Sequence, residues 1–331
     1  MKKFRLIFVV ALILCLFGCN SAPAPSNNDK KTTYRIEVIK QLDHASLNEI
    51  ADAIVGKLQD LDAANDDITI EIFVDSGQND PTVLKQIADQ AVADKVDAII
   101  PIATLAAQVS TVSAEGSGIP VIFAAISDPE GSELTGIDYV SGTSDALNTA
   151  YIIDMMLTQN PNLQKVGLLY SLSESNSTKP INDAKAILDQ KGIAYVEAVG
   201  NSNDEILSSA SVLISENVEA IFTPTDNVVM ASELAIAPLF AEAGIPHYAG
   251  ADSFVRNGGF ATCGVNYTDL GKQTAQLAYD AIFNGISTLE DYYLVDGGII
   301  TVNSETAEKL GIDTSIFASM GELVEVTTTE E

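Results

Sequence analysis

Val96-Asp-Ala-Ile-Ile-Pro-Ile-Ala-Thr104 returns 122 residues later, reworded, as Val218-Glu-Ala-Ile-Phe-Thr-Pro-Thr-Asp226. Each is a short, β-branched apolar run ending on a side chain that can cap a helix, as a buried strand feeding a helix N-terminus does. A second pair keeps nearly the same spacing: Gly118-Ile-Pro-Val-Ile-Phe-Ala-Ala is answered 126 residues on by Gly244-Ile-Pro-His-Tyr-Ala-Gly-Ala. Two echoes in one order point to two lobes of a single topology.

The flanking sequence extends both units. Strands are predicted at 35–40, 68–74, 97–102 and 119–124, with helices at 46–61, 81–93 and 104–114. Leu47, Ile50, Ile54, Leu58 and Leu61 share one helical face. Asp80-Pro81 is an N-cap followed by Pro at the first helical position. The second unit repeats this with strands at 165–170, 193–199, 219–223 and 245–249, and helices at 176–190, 204–214 and 227–242. Continuous apolar strands alternating with amphipathic helices make parallel sheets covered on both faces. The expected fold is α/β: two doubly wound, Rossmann-like lobes joined by a three-strand hinge. Lobe 1 is expected to take 34–143 and about 268–297, and lobe 2 to take 144–265 and about 298–324. Hinge strands are expected near Ser141–Ser144, Gly264–Asn266 and Gly297–Ile300, with a frayed tail over 325–331.

Composition removes several functions. The chain has 331 residues with 17 Lys and Arg against 46 Asp and Glu, a formal charge of −29. Phosphate backbones and anionic lipid repel such a surface, so nucleic-acid binding is excluded. Three Cys and two His are too few for a disulfide scaffold, a zinc module or a convincing catalytic cluster. No G-x-S-x-G, Walker loop or H-E-x-x-H occurs, so neither catalysis nor a cofactor or metal is expected.

The N-terminus reads as an address. Lys2, Lys3 and Arg5 precede an apolar stretch from Leu6 to Phe17, shorter than the roughly 20 residues that span a bilayer. Residues 1–18 are therefore expected to be a signal peptide. Gly18-Cys19 resembles a bacterial lipobox, which makes Cys19 the expected lipidated first residue of the mature chain, anchored outside the cytoplasm. Residues 19–33 would then be a flexible tether rich in Pro, Ser and Asn. Without its 3 leader cations the chain keeps 14 basic against 46 acidic residues, or −32.

Ligands of open parallel sheets bind beyond the carboxyl ends of the strands, and the polar residues of this chain gather there. The loops in question are Gln41–Leu47, Ser76–Pro81, Ala103-Thr104, Ile126–Pro129, Ser171–Thr178, Thr225–Asn227 and Ala251–Ser253. Any one of these Ser, Thr, Asp or Asn residues could be a plain helix cap; seven loops converging on one cleft favour a clamp for a small molecule.

The order and wording of these loops are similar to the substrate-binding lipoproteins of ABC importers, in the group that includes tryptophan- and phenylalanine-binding members. The resemblance runs from Tyr34 to Gly311 and rests on D-H-x-x-L (43–47), G-Q-N-D (77–80), A-T-x-A-A-Q (103–108) and I-P-V-I-F-A-A-I-S-D-P (119–129). It continues through L-Y-S-L-S-E-S-N-S (169–177), P-T-D-N (224–227) and the N-Y-x-x-x-G of Asn266–Gly271. It implies the type I periplasmic binding protein fold, a monomer, an aromatic L-amino acid as ligand, and an ABC permease and ATPase as partners. A ligand-sensing receptor, or the same clamp for a nucleoside or sugar, stays open.

A zwitterionic ligand needs an acid for its ammonium and donors for its carboxylate. The mature chain has only two Arg, Arg35 and Arg256, so the carboxylate is expected to rest on hydroxyls, amides and helix N-termini. Thr104, Ser127, Asn176 and Ser177 suit that role. Asp226 is the first expectation for the ammonium and Asp252 the second. Tyr170, Phe254 and Tyr267 could supply aromatic surface. His44, Gln78, Asn79, Glu174 and Asn227 complete the candidate ligand-binding set, whereas His247, inside a strand, is expected to be structural.

Overall fold

The computed structural model describes residues 31–329; the expected signal peptide, Cys19 and most of the tether lie outside them. The first unit runs β1 (Thr32–Lys40), α1 (Ala45–Ala63), β2 (Ile68–Ser76), α2 (Pro81–Ala93), β3 (Ala98–Ile102), α3 (Thr104–Ala114), β4 (Val121–Phe123) and β5 (Val140–Ser144). The second runs α4 (Thr149–Gln159), β6 (Lys165–Tyr170), α5 (Thr178–Lys191), β7 (Ala194–Val199), α6 (Asn203–Ser215), β8 (Ala220–Thr223), α7 (Asn227–Met230), α8 (Glu233–Glu242), β9 (His247–Ala249), α9 (Asp252–Arg256) and β10 (Ala261–Gly264). The chain closes with α10 (Tyr267–Asp280), β11 (Tyr293–Leu294), β12 (Ile299–Asn303), α11 (Ser304–Leu310) and β13 (Glu322–Val326).

The echo in the sequence is an echo in topology. One sheet has the order β2-β1-β3-β4-β5-β11, the other β7-β6-β8-β9-β10-β12-β13. Both therefore begin with the doubly wound order 2-1-3-4-5, with the switch point beside the first strand of each unit. Among the described residues all strand pairings are parallel except β10 with β12. The chain passes between sheets after β5, after β10 and after β11, through 145–148, 265–266 and 295–298. Ser141–Ser144 are thus strand residues of the first sheet, and the crossing follows them.

Two further differences have local causes. The single helix expected over 227–242 is two, α7 and α8, separated by Ala231-Ser232. The tail expected to fray from Glu325 instead belongs to β13 as far as Val326, registered along β12. Beyond it, Thr329 N–H donates to the Arg256 carbonyl at 2.9 Å, and Asn303 Nδ2 donates to Thr328 Oγ1 at 3.0 Å.

The N-Y-x-x-x-G motif gains a physical meaning here. Asn266 caps α10 by accepting from Asp269 N–H at 2.9 Å. A Cβ on Gly271 would lie 2.7 Å from both the Ala53 Cβ and the Ile50 carbonyl, so only glycine lets α10 press this closely on α1. Ile50 also faces the site described next.

Candidate functional site

The carboxyl ends of both sheets meet at a small, closed pocket. Its lining comes from the first unit through His44, Ser46, Leu47, Ile50, Ala103, Ala125 and Ser127, and from the second through Asn176, Thr225, Asp226, Asn227, Met230, Ala251 and Phe254. Asp145, the first residue of the first crossing, and Tyr267, just beyond the second, complete it. Hydrogen bonds tie the two sides together: His44 Nε2 to Asn227 Oδ1 at 3.0 Å, Ser127 to Thr225 at 2.9 Å, Gln41 to Glu174 at 2.9 Å, and Ser46 to Ser253. The lobes are closed on one another.

Backbone geometry brings the main chain up to the pocket at two strand ends. Ala103 and Ala125, which follow β3 and β4, hold φ of 75° and 57°, a region that costs a non-glycine residue about 1–3 kcal/mol. Both line the pocket. Ala103 is also the N-cap of α3 and gives it no side-chain cap, while Gln41 Oε1 accepts from Leu105 N–H in the first turn at 3.0 Å.

Asp226 is fully buried, and both its oxygens are engaged within the second lobe. Oδ1 accepts from Val228 and Val229 N–H at 3.1 and 3.0 Å. Oδ2 accepts from Ser171 N–H and the Ser177 hydroxyl, each at 2.7 Å. Four donors fill the four acceptor positions of a carboxylate. Asp226 therefore caps α7 and fastens the loop after β6, which leaves its carboxylate no acceptor position for the ammonium expected there. Asp252 pairs its Oδ2 with Arg256 Nε at 3.0 Å and keeps a buried, unpartnered Oδ1 among the described residues, but it does not line the pocket.

Of the two acids that line the pocket, the one with capacity to spare is Asp145, which sequence reasoning missed. It is buried, accepts from the Ser127 hydroxyl at 2.9 Å and the Tyr267 hydroxyl at 3.0 Å, and burial pushes its carboxyl above the usual range. The signal was present: Val140-Ser-Gly-Thr-Ser144 is a fifth strand whose end carries Asp145. Its small polar residues disguised it as hinge alone.

The remaining candidates divide by depth. His44, Ser127, Asn176, Asn227 and Tyr267 line the pocket. Ser177 lies behind it with its hydroxyl spent on Asp226. Thr104 is buried beside Ala103 without reaching the lining. Glu174 and Asn79 stand one layer out: Gln41 Nε2 donates at 2.9 Å to each, and Asn227 Nδ2 donates to Glu174 Oε2 at 2.7 Å. Burial, and then the nearby Asp226 charge, raise the Glu174 carboxyl. Gln78 is exposed and bonds Asp43 and Ser76. Tyr170 turns its hydroxyl to Glu197. His247 bridges Glu233 and Thr223 inside the second lobe, at 2.9 and 2.8 Å, as a structural residue would. Leu47, Ile50, Met230 and Phe254 give the pocket an apolar wall, and among the described residues no Lys or Arg lines it.

Comparison with known proteins gives a consistent result. The family model for ABC transporter substrate binding proteins matches residues 35–319. A tyrosine-binding protein of Clostridioides difficile is 28% identical over 295 residues, 85% of this chain and 84% of that protein. A Streptococcus pneumoniae ABC domain solved in complex with L-Trp is 26% identical, with a TM-score of 0.79 over 88% of this chain and 100% of that one. A ligand-free, open substrate-binding protein with adhesive properties from Clostridium difficile is 27% identical, with a TM-score of 0.67 over 89% of this chain and 100% of that one. The score is higher against the ligand complex than against the open form, the direction expected of closed lobes.

Proposed function

Since this chain belongs to the ABC transporter substrate binding proteins, extracytoplasmic carriers that deliver small molecules to a permease and are not enzymes, we propose that its ligand is an aromatic L-amino acid. The observation that carries this reading is Asp145. It is a buried acid at the meeting of the lobes, held by two neutral hydroxyls, in a pocket that no Lys or Arg of the described residues lines. A buried carboxylate is stabilised by a cation with hydrogen-bond donors, which is what an α-ammonium is. The ligand carboxylate would rest at the α3 N-terminus beside Ala103, where the helix dipole favours an anion. The ring would lie on Leu47, Ile50, Met230 and Phe254, with the Met230 thioether adapting to its edge. Relatives described as tyrosine-binding and as an L-Trp complex support the same class. We further propose that Cys19 is lipidated and tethers the carrier to the membrane as a monomer.

The chain has no Trp, and its 10 Tyr and 11 Phe leave the indole emission window dark. Added L-tryptophan should therefore give one blue-shifted emission that tyrosine competes away. A thermal-shift screen covers the other candidates, since a ligand at 100 times its Kd adds about 2.7 kcal/mol. Stabilisation by a nucleoside or sugar, with none from any amino acid, would overturn the reading.

A further inference from the structure

One ring nitrogen of a pocket-lining residue is buried and has no partner among the described residues. His44 precedes α1 as its N-cap residue, with no side-chain cap; the residue lines the pocket, and its Nδ1 is buried with no partner among the described residues. The surrounding hydrogen bonds fix which nitrogen carries the proton. Leu105 N–H is a backbone donor, so the Gln41 oxygen must face it at 3.0 Å, and the Gln41 amide nitrogen must face Glu174 Oε1 at 2.9 Å. The other oxygen of an ionised Glu174 accepts from the Asn227 amide nitrogen at 2.7 Å. That turns the Asn227 oxygen to His44, 3.0 Å from Nε2, so Nε2 bears the hydrogen. Burial holds the imidazole neutral by lowering its pKa to about 4. Nδ1 is thereby left as a lone pair, an unpaired buried acceptor on a residue that lines the pocket.

The place of that lone pair matters. Leu47 and Ile50 follow His44 along α1, and Met230 follows Asn227 along α7, so the apolar wall adjoins the imidazole. The acidic seat of Asp145 is built by Ser127 and Tyr267 instead. Resting on the amino-acid reading above, we propose that His44 Nδ1 accepts a hydrogen bond from the ligand's own side chain, and that the pocket selects rings bearing a donor, the phenol O–H or indole N–H, over phenylalanine. A site that must pair a buried acceptor rejects an analogue without the donor more strongly than an apolar pocket rejects a change of size.

The test is calorimetric titration of the whole mature chain with L-tyrosine, L-tryptophan and L-phenylalanine near pH 8, where Glu174 is ionised. Phenylalanine should bind at least ~10-fold more weakly than the tighter of the other two. In His44→Phe the three affinities should draw together, with tyrosine and tryptophan losing more than phenylalanine does. His44→Asn, which offers an oxygen near the Nδ1 position, should retain the preference. The parent titrations need no variant, so a poorly folded substitution leaves the proposal testable. Equal parent affinities, or His44→Phe weakening all three alike, would refute the role of His44 and leave the amino-acid clamp standing. No binding of any of the three, alongside binding of a nucleoside or sugar, would refute both.

Discussion

Replacing Asp145 and Asp226 separately by asparagine should have opposite consequences, because the two buried acids do different work. Asp145→Asn keeps size and shape but removes the charge that faces the ligand. Without ligand, that charge is buried against two hydroxyls and lacks a cation, so its removal should leave the melting temperature unchanged or raise it. With ligand, an ammonium would be closed in without its counter-charge, at a cost of roughly 2–5 kcal/mol, or about 30- to 5,000-fold in affinity. Asp226→Asn does the reverse. The new amide can keep Val228 and Val229 N–H on its oxygen, but its NH₂ then faces Ser171 N–H and the Ser177 hydroxyl. A donor set against a buried backbone donor costs about 1–3 kcal/mol, seen as a melting temperature lower by a few degrees. Affinity of the folded fraction should change little. Differential scanning calorimetry and titration on the same two samples separate the cases. If Asp226→Asn loses as much affinity as Asp145→Asn while remaining folded, the ammonium seat has been assigned to the wrong acid.

Acidification from about pH 8.5 to 6.5 should raise the melting temperature. Burial, and after it the neighbouring Asp75, push Glu37 up to about 8, and Glu174 is raised as well, so the folded state takes up protons that the unfolded chain binds only at lower pH. Below that window His44, lowered by burial, opposes the gain; Glu37→Gln should shrink the rise, and a melting temperature that falls from pH 8.5 to 6.5 would contradict the assignment. Ala103→Gly should stabilise by ~1 kcal/mol, since φ 75° and ψ 164° suit glycine and strain alanine; destabilisation in chemical denaturation would count against that strain. Cys19→Ala should release the protein from membranes or leave it unprocessed, and unchanged fractionation and migration would count against lipidation.

The sequence by itself determined the architecture. Apolar runs with turn residues between them, and the repeat offset of 122 to 126 residues, are local or periodic signals, and they sufficed for two like lobes whose strand ends converge. The predicted 81–93 and 104–114 helices agree with α2 and α3 to the residue, because Asp80 and Pro81 set one start and the end of β3 the other. The break in α7–α8 was hidden by a continuous apolar sequence, and the order of the tail by its polarity, since β13 is held by pairing to β12 and not by burial of its own. What only the tertiary structure decided is which polar side chain at a strand end is free. Asp226 and Asp145 look alike in sequence as acids following strands. One meets four donors supplied by its own lobe, and the other meets two hydroxyls, one of them from a residue 122 positions away. Likewise the tautomer of His44 depends on Asn227, 183 residues distant, and through it on the 133-residue link between Gln41 and Glu174. A capping propensity is written within a few residues of chain, whereas the occupancy of a lone pair depends on the atoms that folding brings beside it.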